Sequence, residues 1–351
     1  MSTISVIIPV HNGGAKFRRC LTGVAACQIA ASELIVVVDG AGSEDITTAR
    51  NFGAHVLQTS TTNGPAAARN LGAIHATGDI LIFLDADVVP APDVLTKVAA
   101  AFDRQPDLAA LFGSYDDAPA ESNFFSQYKN LLHHFTHQSG REEAFTFWAG
   151  CGAMRREIFL AVGGFDAVAY RRPSIEDIEL GYRLRSARLA IRLCKDIQVK
   201  HLKRWGPISL FKTDFFGRAL PWTDLIRREK RSANDLNLNV ASRLSAVMVY
   251  LMIGACVAGL FMRSCFLLIP AAALILCVLN WPLYRFFGRA RGFWFAARAV
   301  PIHWIYYLYS GLAFALGSTA SVVRVRPVIP PVLPLKSVVS HATAERASAK
   351  A

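Results

Sequence analysis

Short apolar runs alternate with segments of helical periodicity over about the first hundred residues of the chain. The apolar runs predict strands at residues 4–9, 33–39, 54–58 and 79–85. The segments between them predict helices at residues 16–28, 43–51 and 64–76. Strands without polar alternation are buried on both faces, which is typical of a parallel α/β sheet. Ligands of such sheets bind beyond the carboxyl ends of the strands, so functional side chains are expected there.

The hydrophobic pattern changes completely after Arg243. Residues 244–262, 265–284 and 299–323 carry no charged side chain over 19, 20 and 25 residues. Uncharged, mostly apolar stretches of about 18 residues or more fit transmembrane helices. The alternative, helices buried in a protein core, is disfavoured by three such stretches within 80 residues. The sequence therefore predicts a transmembrane region of about three helices over residues 244–326 and an irregular tail over residues 327–351.

Arginine and lysine residues flank these apolar stretches unevenly. Residues 227–231 before the first stretch are basic, and so is the loop between the second and third stretches, with Arg285, Arg289, Arg291 and Arg298. The positive-inside rule then predicts a multi-pass protein of the cell (inner) membrane whose N-terminal domain lies in the cytoplasm. Arg324 and Arg326 would fall on the far side. Either the third stretch is re-entrant, or the charge rule is overridden there.

The overall composition excludes several classes of protein. With 53% hydrophobic and 18% charged residues, the chain is neither largely disordered nor entirely water-exposed. Its net charge of +12 divides into about −6 for residues 1–170 and about +18 for the remainder, which is unlike a uniformly basic nucleic-acid binder. The seven cysteines form no Cys-x-x-Cys pair, so a disulfide framework or zinc cluster is disfavoured.

The basic residues are concentrated just before the first apolar stretch. Residues 183–243 hold 15 basic and 5 acidic side chains, interleaved with five aromatic ones at positions 205, 211, 215, 216 and 222. This mixture predicts an interfacial segment over residues 206–243 that lies against anionic lipid. It could also hold the phosphate of a lipid acceptor. The alternative is an ordinary solvated basic face.

The apolar strand predicted at residues 79–85 ends in an Asp-x-Asp pair, Asp85 and Asp87. Alternation along the chain places both carboxylates on one side of the sheet edge. Two carboxylates in such a place repel each other unless a hydrogen-bond donor or a divalent cation lies between them. Mg²⁺ or Mn²⁺ is the typical cation, bound by one or two carboxylates and substrate phosphate oxygens. The alternative is a solvated turn, because Asp is common after strands.

Three further segments place polar side chains near the same edge. Asp39 ends a second apolar strand and could accept hydrogen bonds from a base or a ribose. Arg69, at the start of a helix rich in small residues, offers a planar fork to a phosphate or a base. Asp177, in the first turn of a predicted helix, is a candidate general base. Each residue alone also has a purely structural explanation. Asp39 and Arg69 could simply stabilise the fold, and Asp177 could be present because helix N-termini favour acidic residues.

Six segments in this order resemble the family 2 glycosyltransferases. They are residues 5–12, Asp39, residues 64–70, Asp85-Ala86-Asp87, residues 148–156 with 163–166, and Glu176-Asp177. The resemblance covers about residues 3–205 and implies a GT-A nucleotide-sugar-binding domain, a mostly parallel mixed sheet flanked by helices, over residues 1–205. It implies an inverting enzyme that moves a sugar from a UDP- or GDP-sugar to a lipid-linked or polysaccharide acceptor.

The same resemblance implies roles for individual residues. Asp177 would be the catalytic base; Pro9, His11, Asp39, Arg69 and Asp85 would bind the nucleotide sugar; and Asp85, Asp87 and His201 would bind Mg²⁺ or Mn²⁺. Two positions depart from the family pattern, because His11 stands where Tyr is common and the second acid after Asp39 is absent. A Gln-x-x-Arg-Trp motif is also missing, which counts against a processive synthase.

Two other functions remain open from the sequence. The altered loop after Asp39 would suit a non-catalytic membrane protein that binds nucleotide sugars or lipids. A dinucleotide-dependent oxidoreductase would need Gly-x-Gly-x-x-Gly after the first strand, and residues 11–16 do not supply it. His201 could equally be a structural histidine.

Overall fold

The computed structural model describes residues 2–229, 236 and 239–320. These residues form two compact units. The first, the sheet unit, comprises residues 2–120 and 141–203, and the second, the helical unit, comprises residues 121–140 and 204–320. Residues 121–140 therefore group with the helical unit, although they lie inside the range 1–205 predicted for one domain.

The sheet unit contains eight β-strands in one mixed sheet. They are β1 (Ile4–Val10), β2 (Glu33–Val38), β3 (His55–Gln58), β4 (Ile80–Leu84), β5 (Val88–Pro90), β6 (Leu108–Tyr115), β7 (Cys151–Arg155) and β8 (Ala190–His201). Their spatial order is β3-β2-β1-β4-β7-β6-β8-β5. The first four neighbours are parallel, whereas β7 is antiparallel to both β4 and β6. The predicted mostly parallel mixed sheet is confirmed.

Thirteen α-helices occur among the described residues. They are α1 (Gly14–Ala25), α2 (Ser43–Asn51), α3 (Pro65–His75), α4 (Val94–Arg104), α5 (Phe124–Ser139), α6 (Arg156–Ala161), α7 (Glu176–Ser186), α8 (Pro207–Lys212), α9 (Leu220–Glu229), α10 (Val240–Gly259), α11 (Leu268–Leu279), α12 (Trp281–Arg291) and α13 (Phe293–Ala320). A π-helical segment, Thr213–Ala219, joins α8 to α9, and a 3₁₀ segment, Arg263–Leu267, precedes α11. Strands and helices predicted for residues 4–85 agree with the observed ones to within about two or three residues at most ends.

The central strands form because their apolar side chains are buried on both faces of the sheet. All five residues of β4 are buried, and β1 is buried except at Pro9. Full burial of a Val, Leu, Ile or Phe side chain stabilises by about 1.5–3 kcal/mol. Strands held in this way present their last residues at one edge of the sheet, where Asp39 and Asp85 immediately follow β2 and β4.

The helical unit differs from the sequence prediction at the second apolar stretch. By length and composition, two described helices could cross a membrane, Val240–Gly259 and Phe293–Thr319. The stretch predicted as one span over residues 265–284 is broken at Asn280, where the helix axis bends by 67°. The Asn280 side chain donates to the Leu276 carbonyl, and Pro282, near the start of α12, has no N–H to continue the ladder. The tail over residues 327–351, together with Arg324 and Arg326, lies outside the described residues.

Candidate active site

Asp39 organises the loop that leads into α3. Its carboxylate is only 4% exposed and accepts hydrogen bonds from the Thr59 hydroxyl, the Asn63 N–H and the Gly64 N–H at 2.8–2.9 Å. Gly64 has a φ of +87°, and a Cβ there would collide with the backbone carbonyl of Arg171. Asp39 thus stands at the predicted edge, with both oxygens already accepting hydrogen bonds. Its contact with a nucleoside stays a prediction.

The loop after β1 lies beside Asp39. The ring Nδ1–H of His11 donates to the Asp39 carbonyl at 2.7 Å, and His11 is otherwise exposed. Pro9 lies on β1 opposite Val37 of β2. Asp45, a buried acid of α2, accepts from the N–H groups of the two glycines at positions 13 and 14, at 3.0 and 3.2 Å. The predicted nucleotide-binding positions 9, 11 and 39 therefore lie together at one end of β1 and β2.

Arg69 is buried between two carboxylates. Its side chain donates to Asp85 Oδ1 at 2.6 Å and to Glu176 Oε1 at 3.0 Å. Burial alone would lower the pKa of the guanidinium, but Asp85, Glu176 and Asp177 raise it above its ordinary value. The sequence predicted a fork for a phosphate or a base, and the structure shows the fork engaged by two acids of the protein itself.

The acid pair after β4 is incompletely compensated. The side chains of Asp85 and Asp87 are about one-third exposed, at 32% and 31%. Burial and the neighbouring Asp85 carboxylate raise the pKa of Asp87 to about 6, against the opposing effect of Lys203 and Lys16. The surroundings of Asp87 therefore favour the binding of a proton or another cation by its carboxylate.

His201 joins this pair from β8. The pairing of β5 with β8 sets His201 opposite Val88, and its Nε2 lies 3.8 Å from Asp87 Oδ2. The imidazole is buried and stacks on Tyr115, with ring centroids 4.2 Å apart. The structure therefore brings the predicted His201 to the Asp-x-Asp pair. Tyr115 holds its ring in place, and no local sequence signal marked that tyrosine.

The Asp85–Asp87 pair fits a divalent cation whose shell the substrate completes. No three His, Cys, Asp or Glu side chains in residues 2–229, 236 and 239–320 are grouped so as to hold a metal ion by themselves. Mg²⁺, however, is usually bound through one or two carboxylates plus phosphate oxygens. The repulsion that raises the pKa of Asp87 supports this fit, because a cation between the two carboxylates would remove it. The ion itself stays a prediction.

The first turn of α7 presents two acids in different environments. Glu176 is buried, paired with Arg69, and accepts from the Ser174 N–H at 2.9 Å. Asp177 is half-buried and accepts from the Ala149 N–H at 3.2 Å. Burial and the Glu176 charge raise the pKa of Asp177 to about 7, although Arg69 opposes them. A carboxylate with a pKa near neutrality can accept and release protons at working pH.

Asn70 and Arg183 fix the loop before α7. Asn70 exchanges two hydrogen bonds with the backbone of Phe165, at 2.8 and 2.9 Å. Arg183 pairs with Glu179 at 2.8 Å and donates to the carbonyls of Val162 and Gly164. Sequence reasoning did not assign Asn70 a role, although its place beside Arg69 in the helix-start motif was a usable signal.

Comparisons with known proteins agree with this architecture. The sequence model described as "Glycosyl transferase family 2" matches residues 5–163. The pre-mycofactocin glycosyltransferase of Mycobacterium tuberculosis is 29% identical over 201 residues, which cover 54% of this chain and 40% of that relative. An uncharacterized glycosyltransferase of Haemophilus influenzae is 33% identical over 128 residues, which cover 35% of this chain and 51% of that protein. The chain therefore spans about half or less of the length of these relatives.

A solved structure shares the fold over most of the chain. It is a mannosyltransferase from Pyrobaculum calidifontis in complex with GDP-Man and Mn²⁺. The TM-score is 0.59 at 16% identity, and the match covers 92% of this chain and 88% of that one. At this level of identity the likeness concerns the fold.

Proposed function

Because residues 5–163 form a family 2 glycosyltransferase domain, we propose that the chain is an inverting glycosyltransferase that uses a nucleotide-sugar donor. The observation that carries this proposal is the arrangement around Arg69. One guanidinium contacts both Asp85, the first acid after β4, and Glu176, the neighbour of Asp177. A donor-binding acid and a candidate base thus stand on the two sides of one side chain, at the edge where α/β sheets bind ligands.

The donor would bind beyond β1, β2 and β4. Pro9, His11 and Asp39 would flank the nucleoside, while Asp85, Asp87 and His201 would hold Mg²⁺ or Mn²⁺. A divalent cation bound there offsets the charge that develops on the departing nucleoside diphosphate. The GDP-Man and Mn²⁺ bound by the Pyrobaculum mannosyltransferase support a donor and ion of this kind. The partial exposure of both aspartates leaves them accessible to such a ligand.

Asp177 would act on the acceptor. Its pKa of about 7 suits a group that removes a proton from an acceptor hydroxyl as that oxygen attacks the anomeric carbon. Attack from the face opposite the leaving diphosphate inverts the configuration of that carbon. Arg69 and Glu176 do not exchange protons in this scheme; they hold the first turn of α7.

The acceptor is proposed to be lipid-linked or a polysaccharide at a membrane. Large apolar side chains on the described helices α10, α11 and α13 are exposed, among them Leu251, Leu274 and Phe314. Such an apolar surface suits contact with lipid. We place the chain in the cell membrane as a multi-pass protein with its sheet unit on the cytoplasmic side, following the distribution of arginine and lysine.

Ligand-dependent stabilisation tests the donor assignment. The full chain in detergent is heated with Mn²⁺ and a panel of UDP- and GDP-sugars, because a ligand that binds only the folded state raises the melting temperature by mass action. We expect one donor to stabilise the parent in the presence of Mn²⁺ and to lose this effect in Asp87→Ala. Asp79→Ala, at the opposite end of β4, is the matched control and should keep the effect. If no donor in the panel raised the melting temperature of the parent, the proposal would be contradicted.

A further inference from the structure

Arg69 occupies a position unlike that of a ligand-binding arginine on an open surface. It is 4% exposed on α3, and its two terminal nitrogens are committed to Asp85 and Glu176. The guanidinium also lies 5.5 Å from the centre of the Phe165 ring, and its buried Nε has no hydrogen-bond partner in the part of the chain that the structure describes. The side chain is therefore fixed from three sides within the sheet unit.

Glu176 connects Arg69 to the start of α7. Its second carboxylate oxygen accepts from the Ser174 N–H, so the same side chain joins the Arg69 fork to the backbone at the start of the helix. Asp177 follows directly and is held by the Ala149 N–H. A chain of contacts from Asp85 through Arg69 to Glu176 therefore helps to fix the position of Asp177 relative to Asp85. A second connection runs through the backbone, because the Asp85 N–H donates to the carbonyl of Gly150, the residue after Ala149.

We propose that Arg69 is a positioning residue that couples Asp85 to the first turn of α7 and so holds Asp177 in register with the donor acids. Its effect on sugar transfer rests on the proposed function, whereas the coupling itself is a property of the folded chain. Arg suits this role better than Lys, because a planar guanidinium can serve two carboxylates at fixed angles and an ammonium is a single point of charge.

The coupling predicts that the effect of substituting Asp85 or Glu176 on fold stability depends on Arg69. With Arg69 present, each acid compensates a buried cation, so Asp85→Asn and Glu176→Gln should each destabilise the fold. With Arg69 replaced by the apolar Met, the same acids repel each other and Asp177, so the same substitutions should stabilise the fold or leave its stability unchanged. A residue that only filled space would not reverse the sign of this effect.

Arg69 also influences cation binding at Asp85. It occupies one carboxylate oxygen and places a positive charge beside the acid pair. Removal of this charge should therefore tighten the binding of Mn²⁺ by about 10-fold, because the guanidinium repels a divalent cation held by Asp85. The rate of sugar transfer should fall at the same time, because Asp177 is no longer held in register.

Two measurements on the full chain in detergent test the proposal. The first compares melting temperatures of the Asp85→Asn and Glu176→Gln variants in the parent and in Arg69→Met; Arg69→Lys serves in its place if Arg69→Met does not fold. We expect shifts of about −5 °C in the parent, shifts of zero or above in Arg69→Met, and intermediate shifts in Arg69→Lys. Equal shifts in the parent and the Arg69 variant would overturn the proposal, whether or not the chain transfers sugar.

The second measurement determines Mn²⁺ affinity at pH 8 by electron paramagnetic resonance of the free ion. Arg183→Met is the matched control, since Arg183 forms another fork on α7, with Glu179, away from Asp85. We expect tighter Mn²⁺ binding in Arg69→Met and parent-like binding in Arg183→Met. Weaker Mn²⁺ binding in Arg69→Met, as after a general loss of structure, would contradict the proposal. A parent that binds no Mn²⁺ either alone or with UDP or GDP would refute the metal site of the proposed function, and the melting-temperature comparison would still decide the coupling.

Discussion

The two units of the chain distribute polar and apolar side chains in opposite ways. In the sheet unit, the β-strands bury Val, Ile and Leu, and charged groups such as Asp39, Arg69 and Glu176 are buried near the candidate site. In the helical unit, Leu260, Phe261 and Leu267 are 77%, 89% and 75% exposed. The sheet unit thus buries its apolar side chains, whereas the described helices of the helical unit expose many of theirs, and a large exposed apolar surface is typical of a protein or lipid contact site.

One buried polar cluster from each unit illustrates a difference in charge. In the helical unit the Asn280 side chain donates to Ser245 and accepts from the Tyr307 hydroxyl, at 2.9 and 2.7 Å. This cluster is neutral and joins α10 and α13 at the bend between α11 and α12. At the sheet edge the buried groups are charged, and the acids outnumber the arginine between them. Neutral clusters whose hydrogen bonds are satisfied stabilise helix packing. A cluster of acids without enough positive charge can instead bind a cation or exchange a proton.

Among the substitutions that test this contrast, replacement of Asp177 should reduce the transfer rate most. Asp177→Asn keeps the shape of the side chain and removes its basicity, so the transfer rate to a hydroxyl acceptor should fall by about 10²–10⁴-fold. The matched control is Asp166→Asn, in the loop before α7, where the carboxylate accepts from the Ala169 N–H. Turnover of Asp177→Asn within a few-fold of the parent would remove Asp177 from the base role.

Replacement of Asp87 should have the next largest effect. Asp87→Ala removes one hard ligand and leaves β4 unchanged, so the rate should fall by at least about 10²-fold while the protein stays folded. The measurement titrates Mn²⁺ against transfer rate in parent and variant after exhaustive treatment with EDTA. Full activity of the chelated parent would refute the metal assignment and move the acid pair toward binding ribose or sugar.

The raised pKa of Asp177 predicts a pH dependence of both rate and stability. Below the folded-state pKa of about 7 the base is protonated, so the rate should fall about tenfold for each pH unit of further acidification. The folded state binds this proton more tightly than the unfolded state, whose pKa is about 3.9. This contribution to stability is therefore present at low pH and is lost as the pH rises from about 4 to about 7.

Rate and melting temperature measured from pH 5 to pH 8.5 check both parts of this prediction. Asp177→Asn should flatten the acidic limb of the rate profile and reduce the stability difference across that pH range. An unchanged acidic limb in the variant would assign the titration to another group.

The smallest effect is expected in the helical unit. Asn280→Ala removes a buried amide that joins Ser245 and Tyr307, so the unfolding free energy in detergent should fall by about 1–2 kcal/mol. The sugar-transfer rate per folded molecule should change by less than about twofold, because this neutral cluster contains none of the acids proposed to bind the donor or to act as the base. A loss of rate comparable to that of Asp87→Ala would mean that the two units are not separable in function.

The sequence predicted the parallel half of the sheet well because its strands are continuous apolar runs. The acids after β2 and β4 were predictable for the same reason, since strand ends determine where the following residue lies. The antiparallel insertion of β7 between β4 and β6 was not predictable, because it depends on pairing between residues far apart in the chain.

The helix break at Asn280 and the partners of Arg69 were also beyond the sequence. An asparagine within an uncharged stretch does not reveal that it will find Ser245 and Tyr307. An arginine in a helix-start motif is equally compatible with a phosphate or with two buried carboxylates, and only the fold brings Asp85 and Glu176 to it. The sequence identified the chemical groups, and the tertiary contacts determined how those groups are paired.

Transfer of a labelled sugar tests the central claim most directly. Membranes that contain the parent, Asp87→Ala or the control Asp79→Ala are supplied with Mn²⁺ and each of a panel of radiolabelled UDP- and GDP-sugars, and label is measured in lipid and glycan fractions. We expect transfer from one donor by the parent and by Asp79→Ala, with release of the nucleoside diphosphate, and transfer reduced by at least about 10²-fold in Asp87→Ala. Equal transfer by parent and Asp87→Ala, or no transfer from any donor, would contradict the central claim.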